Sequence, residues 1–167
     1  MDVVNNILDW GGMNRLGDDM QIHLQRSLHI LNNLNHNNYE NVYSGRIASM
    51  SKIYEMWHPA NWVIYDSYCA RGLQWLVSQW WNLPGNYNTY EDILRLPSPP
   101  GRAIRPVDGF PRLNTQHSLQ ATLGFIYASW LCRAIATQLN IGGNHAQDIT
   151  WQAYHIEMVA FQLGHEV

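Results

Sequence analysis

The sequence predicts an all-α fold, a compact helical bundle built as a single domain over residues 1–167. Three observations predict it. Apolar residues recur at three- and four-residue spacing through most of the chain, the mark of helices with one buried face. No credible pair of alternating apolar and polar runs reads as strands, and there is no internal repeat or low-complexity tract. The composition, 46% hydrophobic against 14% charged, supplies enough apolar surface for a core and argues against disorder.

The first expected element is a short helix over residues 2–10, closed by Gly11-Gly12. Gly17-Asp18-Asp19 reads as the start of a second helix, which Met20, Leu24, Leu28 and Leu31 carry to about Leu34. The asparagine-rich stretch 32–41 then reads as a polar loop between helices. A third helix follows, with Ile47, Met50, Ile53, Tyr54 and Trp57 on its core side. Lys52 falls on the other side beside Ala48, Ser49, Glu55 and Met56. Pro59 stops this helix, because it lacks the donor the ladder needs and disfavours a helical residue before it.

Asp66 stands at the N-cap of a fourth helix, in which Tyr68, Gly72, Leu73, Trp75, Leu76 and Trp80 recur at helical spacing until Pro84-Gly85. After a short helix at Thr89–Leu96 comes a loop with five of the seven prolines. Arg95, Arg102, Arg105 and Arg112 lie in this region with only Asp108 opposing them. Arginines on a proline-stiffened loop suit phosphate contacts, and they equally suit the solubility of an exposed loop. Leu119 to Leu139 is apolar nearly all round and should be a buried central helix whose one charge, Arg133, needs a partner. The last helix, from about Asp148 to Gly164, places Ile149, Ala153, Ile156, Ala160 and Leu163 on one face.

The chemistry centres on Lys52. It is the only lysine in the chain, against nine arginines, and Asp66 follows it by fourteen residues. One primary amine and one carboxylate fixed by backbone N–H groups are the minimum set for attack on an activated carbon followed by Schiff-base chemistry. The structural alternative is a surface ion pair of Lys52 with Glu55 and an ordinary helix cap at Asp66.

Other function classes lack their signatures. There is no HExxH or CxxC spacing for a metal, no glycine-rich phosphate loop, no GxSxG elbow and no dinucleotide fingerprint. His155 and Glu157 read as satisfied helix residues. A net charge of −3 excludes broad coating of nucleic acid but leaves room for a local basic groove. Cys69 and Cys132 lie in apolar helical patterns and read as buried free thiols, as in a reducing compartment. The start MDVVNNILDW carries Asp2 where a signal peptide is basic, and the strongly apolar stretch from Ala121 to Cys132 is too short for a bilayer. The expected protein is cytoplasmic, with no membrane association.

Ser51-Lys52-Ile53, Pro59 and Asp66-Ser67 together resemble the catalytic segment of the helix–hairpin–helix DNA glycosylases. The segment is most similar to the compact bacterial branch with an 8-oxoguanine DNA glycosylase fold. The match covers roughly thirty residues, with Ser44-Gly45-Arg46 where that family carries a glycine-rich hairpin. The resemblance implies that Lys52 is the nucleophile and Asp66 the assisting aspartate, acting on DNA without a metal or organic cofactor. It further implies a monomer that flips a damaged or hypermodified base into a pocket walled by Trp57, Trp62, Tyr65 and Tyr68. Arg46, Arg102, Arg105 and Arg112 would contact the DNA backbone. A role in repair and a role in defence against phage with modified DNA are both compatible with it, as is an accompanying AP-lyase activity. The rival reading is a non-catalytic helical module, for DNA or protein, that keeps the fold alone. A lysine-dependent enzyme acting on a small carbonyl compound is a third.

Overall fold

The computed structural model describes residues 2–10, 17–33, 41–42, 46–84, 96–99, 105–111, 119–142 and 149–167. They form six helices: α1 (Asp2–Trp10), α2 (Asp18–Asn32), α3 (Ile47–Trp57), α4 (Ser67–Trp81), α5 (Leu119–Ile141) and α6 (Ala153–Glu166). The all-α expectation holds. No strand occurs among the described residues. No helix among them is long and apolar enough to cross a membrane. Of the asparagine-rich loop expected over residues 32–41, Asn32 ends α2 and residues 34–40 lie outside the described residues. So do residues 89–95 of the short helix expected over 89–96, Arg102 and Arg112; Leu96, the expected last residue of that helix, is not helical.

The tightest packing joins α4 to α6. A Cβ built on Gly72 would lie 1.8 Å from the carbonyl oxygen of Ala160, and one built on Gly164 would lie 2.0 Å from that of Tyr68. The two helices therefore run antiparallel with their backbones nearly touching, which only residues without side chains permit. Helix α5 packs on α6 and on α3, and α1 packs on α3. Leu8, Met50, Tyr54, Leu73 and Phe125 are among the wholly buried side chains that fill the space between them.

Three helical faces differ from expectation. On α3, Ile47, Met50, Ile53 and Tyr54 are buried as predicted, but Trp57 is exposed at the last residue. On α4 the buried side is Cys69, Ala70, Gly72, Leu73, Gln74 and Val77, whereas Trp80 is exposed. A stripe of small residues serves there because the neighbour is backbone rather than side chain. Ile149 precedes α6 and is exposed; the helix starts at Ala153, where Gln152 caps it and His155 Nδ1 accepts from the Gln152 N–H at 3.0 Å. Arg133 on α5 is exposed too, so it needs no buried partner. It borders a polar hollow of about 190 Å³ shared with Ala60, Asn140, Trp151 and Gln152.

The proline-rich segment is built into the core. Leu96 to Pro99 are all buried. The Tyr65 hydroxyl donates to the Pro97 carbonyl at 2.6 Å, and Gln74 Nε2 donates to the Leu96 carbonyl at 2.7 Å and to Ser98 Oγ at 3.0 Å. Gln74 Oε1 accepts in turn from the Val107 N–H at 3.0 Å. The buried Gln74 amide thus meets backbone groups that proline-containing chain cannot pair in a helix or sheet. Val107 to Phe110 close a turn with Gly109 at φ 87°, a conformation that favours glycine.

Candidate functional site

The site begins with the connection between α3 and α4. The last turn of α3 closes on His58, whose N–H donates to the Tyr54 and Glu55 carbonyls, and Pro59 follows as the expected stop. At the other end, Asp66 is the N-cap of α4. Its Oδ1 accepts from the Tyr68 and Cys69 N–H groups, both at 3.0 Å. A carboxylate in this position satisfies donors that the first turn leaves without partners and complements the positive end of the helix.

One further bond joins the two halves. Ser51 is wholly buried, and its Oγ accepts from the Tyr65 N–H at 2.9 Å. Ser51 precedes Lys52 and Tyr65 precedes Asp66, so the residues next to the amine and next to the capping carboxylate are tied to each other. The strap lies inside the core, where a hydrogen bond holds position best.

Lys52 itself is half-buried. Its Nζ lies 5.9 Å from the ring centroid of Trp10, the last residue of α1, a cation–π contact worth about 0.5–1 kcal/mol at an exposed position. Helix α3 is entered through Arg46, the only described non-glycine residue with positive φ, at 55°. The Arg46 carbonyl accepts from the Ser49 and Met50 N–H groups. A left-handed arginine is uncommon and costs of the order of 1–2 kcal/mol, so this entry is held by its surroundings.

Glu157 completes the cluster, and sequence reasoning missed it. It lies on the buried side of α6, three residues from the Ala160 that touches Gly72, and is only 6% exposed. Burial first, then the charges of Glu55 and Asp66, push its carboxyl up to about 8, while Lys52 pulls in the opposite direction. Glu55 is raised as well, by burial. Lys52 and Glu55 on α3, Asp66 at the head of α4 and Glu157 on α6 thus form one electrostatic unit. Glu157 was read as an ordinary helix residue; its environment comes from two other helices, and no local pattern announces it.

The aromatic residues expected to wall a pocket are not brought together. Trp62 is buried against Phe125 with ring centroids 5.4 Å apart, and Tyr65 is wholly buried with its hydroxyl committed to Pro97. Tyr68 stacks on His165 at 3.6 Å and meets Phe161 edge-on at 5.6 Å. Trp57 alone of the four is exposed. The reason is volume: Trp62 and Tyr65 fill the core, Trp62 against Phe125 of α5, and Tyr68 packs against α6. Of the four arginines expected on DNA, Arg46 heads α3 and Arg105 is exposed, while Arg102 and Arg112 lie outside the described residues. Cys69 and Cys132 are buried free thiols, as expected, and burial pushes both thiols far from ionisation. Among the described residues no group of His, Cys, Asp and Glu could hold a metal ion.

No protein-family model, no curated protein and no solved structure matches the chain.

Proposed function

We propose that the protein is a DNA N-glycosylase that excises a damaged or hypermodified base from a flipped nucleotide, with Lys52 as nucleophile and Asp66 assisting. The observation that carries the reading is the buried Ser51–Tyr65 hydrogen bond, which ties the turn bearing the only lysine to the helix start capped by Asp66. The Lys52 amine, after losing a proton, forms a bond to C1′. The glycosidic bond breaks, and its electron pair leaves with the base, which takes up a proton. Asp66 offsets the positive charge that develops on the sugar. Opening of the sugar ring leaves an imine on Lys52, the intermediate of an accompanying AP-lyase step. The protein would work as a monomer in the cytoplasm, in repair or against phage carrying modified DNA, and the reading calls for no cofactor.

Borohydride tests it. The reductant converts the imine into a permanent protein–DNA bond, and with a single lysine the crosslink maps to Lys52 or the terminal amine. Substrates should span oxidised purines, deaminated bases, abasic sites and hypermodified pyrimidines. Wild type should trap on at least one, and Lys52→Arg should lose turnover there on the order of a thousandfold, because a guanidinium stays protonated. Base release by Lys52→Arg at the wild-type rate would overturn the lysine mechanism. No trapping and no release by wild type would favour the non-catalytic helical module.

Asp66→Asn separates capping from catalysis. Asparagine caps as well as aspartate, so the thermal midpoint should stay close to wild type. Turnover should fall about a hundredfold or more, since the charge facing the sugar is gone. Full activity in this variant would leave Asp66 a structural role only.

A further inference from the structure

Trp10 is the most exposed tryptophan among the described residues, at 74%, and its ring lies over the only amine side chain in the protein. Large aromatic side chains ordinarily bury most of their surface. Trp10 does not, although the helix that carries it is well anchored: Leu8 is wholly buried, and Val4 and Ile7 pack against the core. The indole is therefore held out on a packed helix end. On α3, Met56 stands one turn beyond Lys52 on the same face and is 55% exposed. Lys52 is thus bordered by exposed apolar surface from two helices, while Trp62 and Tyr65 are locked in the core.

From this arrangement we infer that Trp10 is the stacking platform for the base of the nucleotide that Lys52 attacks. The inference rests on the glycosylase reading and names the part of the substrate that the exposed surface takes. An indole face accepts a cation or a flat π-system, and every nucleobase offers such a face whatever its substituents. An incoming base takes the face that Lys52 occupies in the free protein. The amine then moves to the edge of the stacked pair, the side on which the base carries its sugar. A sugar or a phosphate alone offers no π-face and gains less from the ring than a base does.

The test uses an oligonucleotide with 2-aminopurine, whose fluorescence is quenched by stacking, and a duplex with an abasic site, which has no base at the reacting position. Trp10→Leu keeps an apolar, helix-compatible side chain at an exposed position; Trp10→Phe keeps a ring. Wild type and Trp10→Phe should quench 2-aminopurine, and Trp10→Leu should not, with affinity for the base-bearing strand lower by about tenfold or more. Borohydride trapping on the abasic duplex should fall far less in Trp10→Leu than binding of the base-bearing strand does. Equal quenching by Trp10→Leu and wild type overturns the inference. Parallel losses on base-bearing and abasic DNA also overturn it, since the ring would then serve the lysine rather than the base. If wild type neither traps on any DNA nor releases base from it, the glycosylase reading fails and the inference falls with it, whereas trapping or release without quenching rejects the inference alone.

Discussion

Gly72→Ala should cost the protein most of its stability, although the same change in an exposed helix is favourable. Alanine in a helix interior gains about 1 kcal/mol over glycine from propensity alone. Here the added carbon would stand 1.8 Å from the Ala160 oxygen, 2.6 Å from its carbonyl carbon and 2.9 Å from its Cα. All three are backbone atoms, so no rotamer change relieves the clash and α6 must move away from α4. Overpacking of a rigid core costs roughly 3 kcal/mol or more, which outweighs the propensity gain. Thermal unfolding followed by circular dichroism should show a much lowered midpoint or no cooperative transition. Gly164→Ala should behave alike, since its Cβ would meet the Tyr68 carbonyl oxygen at 2.0 Å. Shrinking Ala160 to glycine should not rescue Gly72→Ala, because the obstacle is a carbonyl and not a methyl group. A Gly72→Ala protein that melts at or above the wild-type temperature would show that the two helices are not in backbone contact.

That prediction also marks where sequence reading stops. Pro59 and Asp66 were legible because each acts on its own stretch of backbone: one breaks a helix, the other caps the next. The periodicities of α2 and α3 were legible for the same local reason. Gly72 was read as one more member of an apolar stripe, and its role as a gap for another helix exists only once α6 is in place. Gln74 was invisible because its partners lie 22 to 33 residues further on, in a segment that reads as loop. Trp62 and Tyr65 were placed in a pocket on the strength of being aromatic and near the lysine. Composition could not tell that Phe125 and Pro97 claim them for the core. The lysine and aspartate were found from scarcity and spacing, but the side chains completing their surroundings, Trp10 and Glu157, come from distant parts of the chain.

Glu157 should make the protein less stable as pH rises through neutrality. A carboxyl in the unfolded chain titrates near 4.5, whereas in the fold that of Glu157 is pushed up to about 8 by burial and by Glu55 and Asp66. Between those values the folded chain holds a proton that the unfolded chain has released, so unfolding is favoured by raising the pH. The contribution is complete below about pH 4.5 and is lost as pH rises through about 8. Its full size corresponds to roughly 5 kcal/mol, large against the total stability of a domain. Glu55, raised by burial, acts in the same direction. Glu157→Gln keeps the shape and cannot ionise, so its unfolding free energy should change much less between pH 5 and pH 8.5. It should match wild type at the acidic end and exceed it at the alkaline end. Urea unfolding at several pH values measures both slopes, and parallel profiles for the two proteins would remove Glu157 from the cluster. The sign matters for the chemistry as well. A neutral Glu157 adds no negative charge beside Lys52, and ionising it above about pH 8 would add one to the space already shared by Glu55 and Asp66.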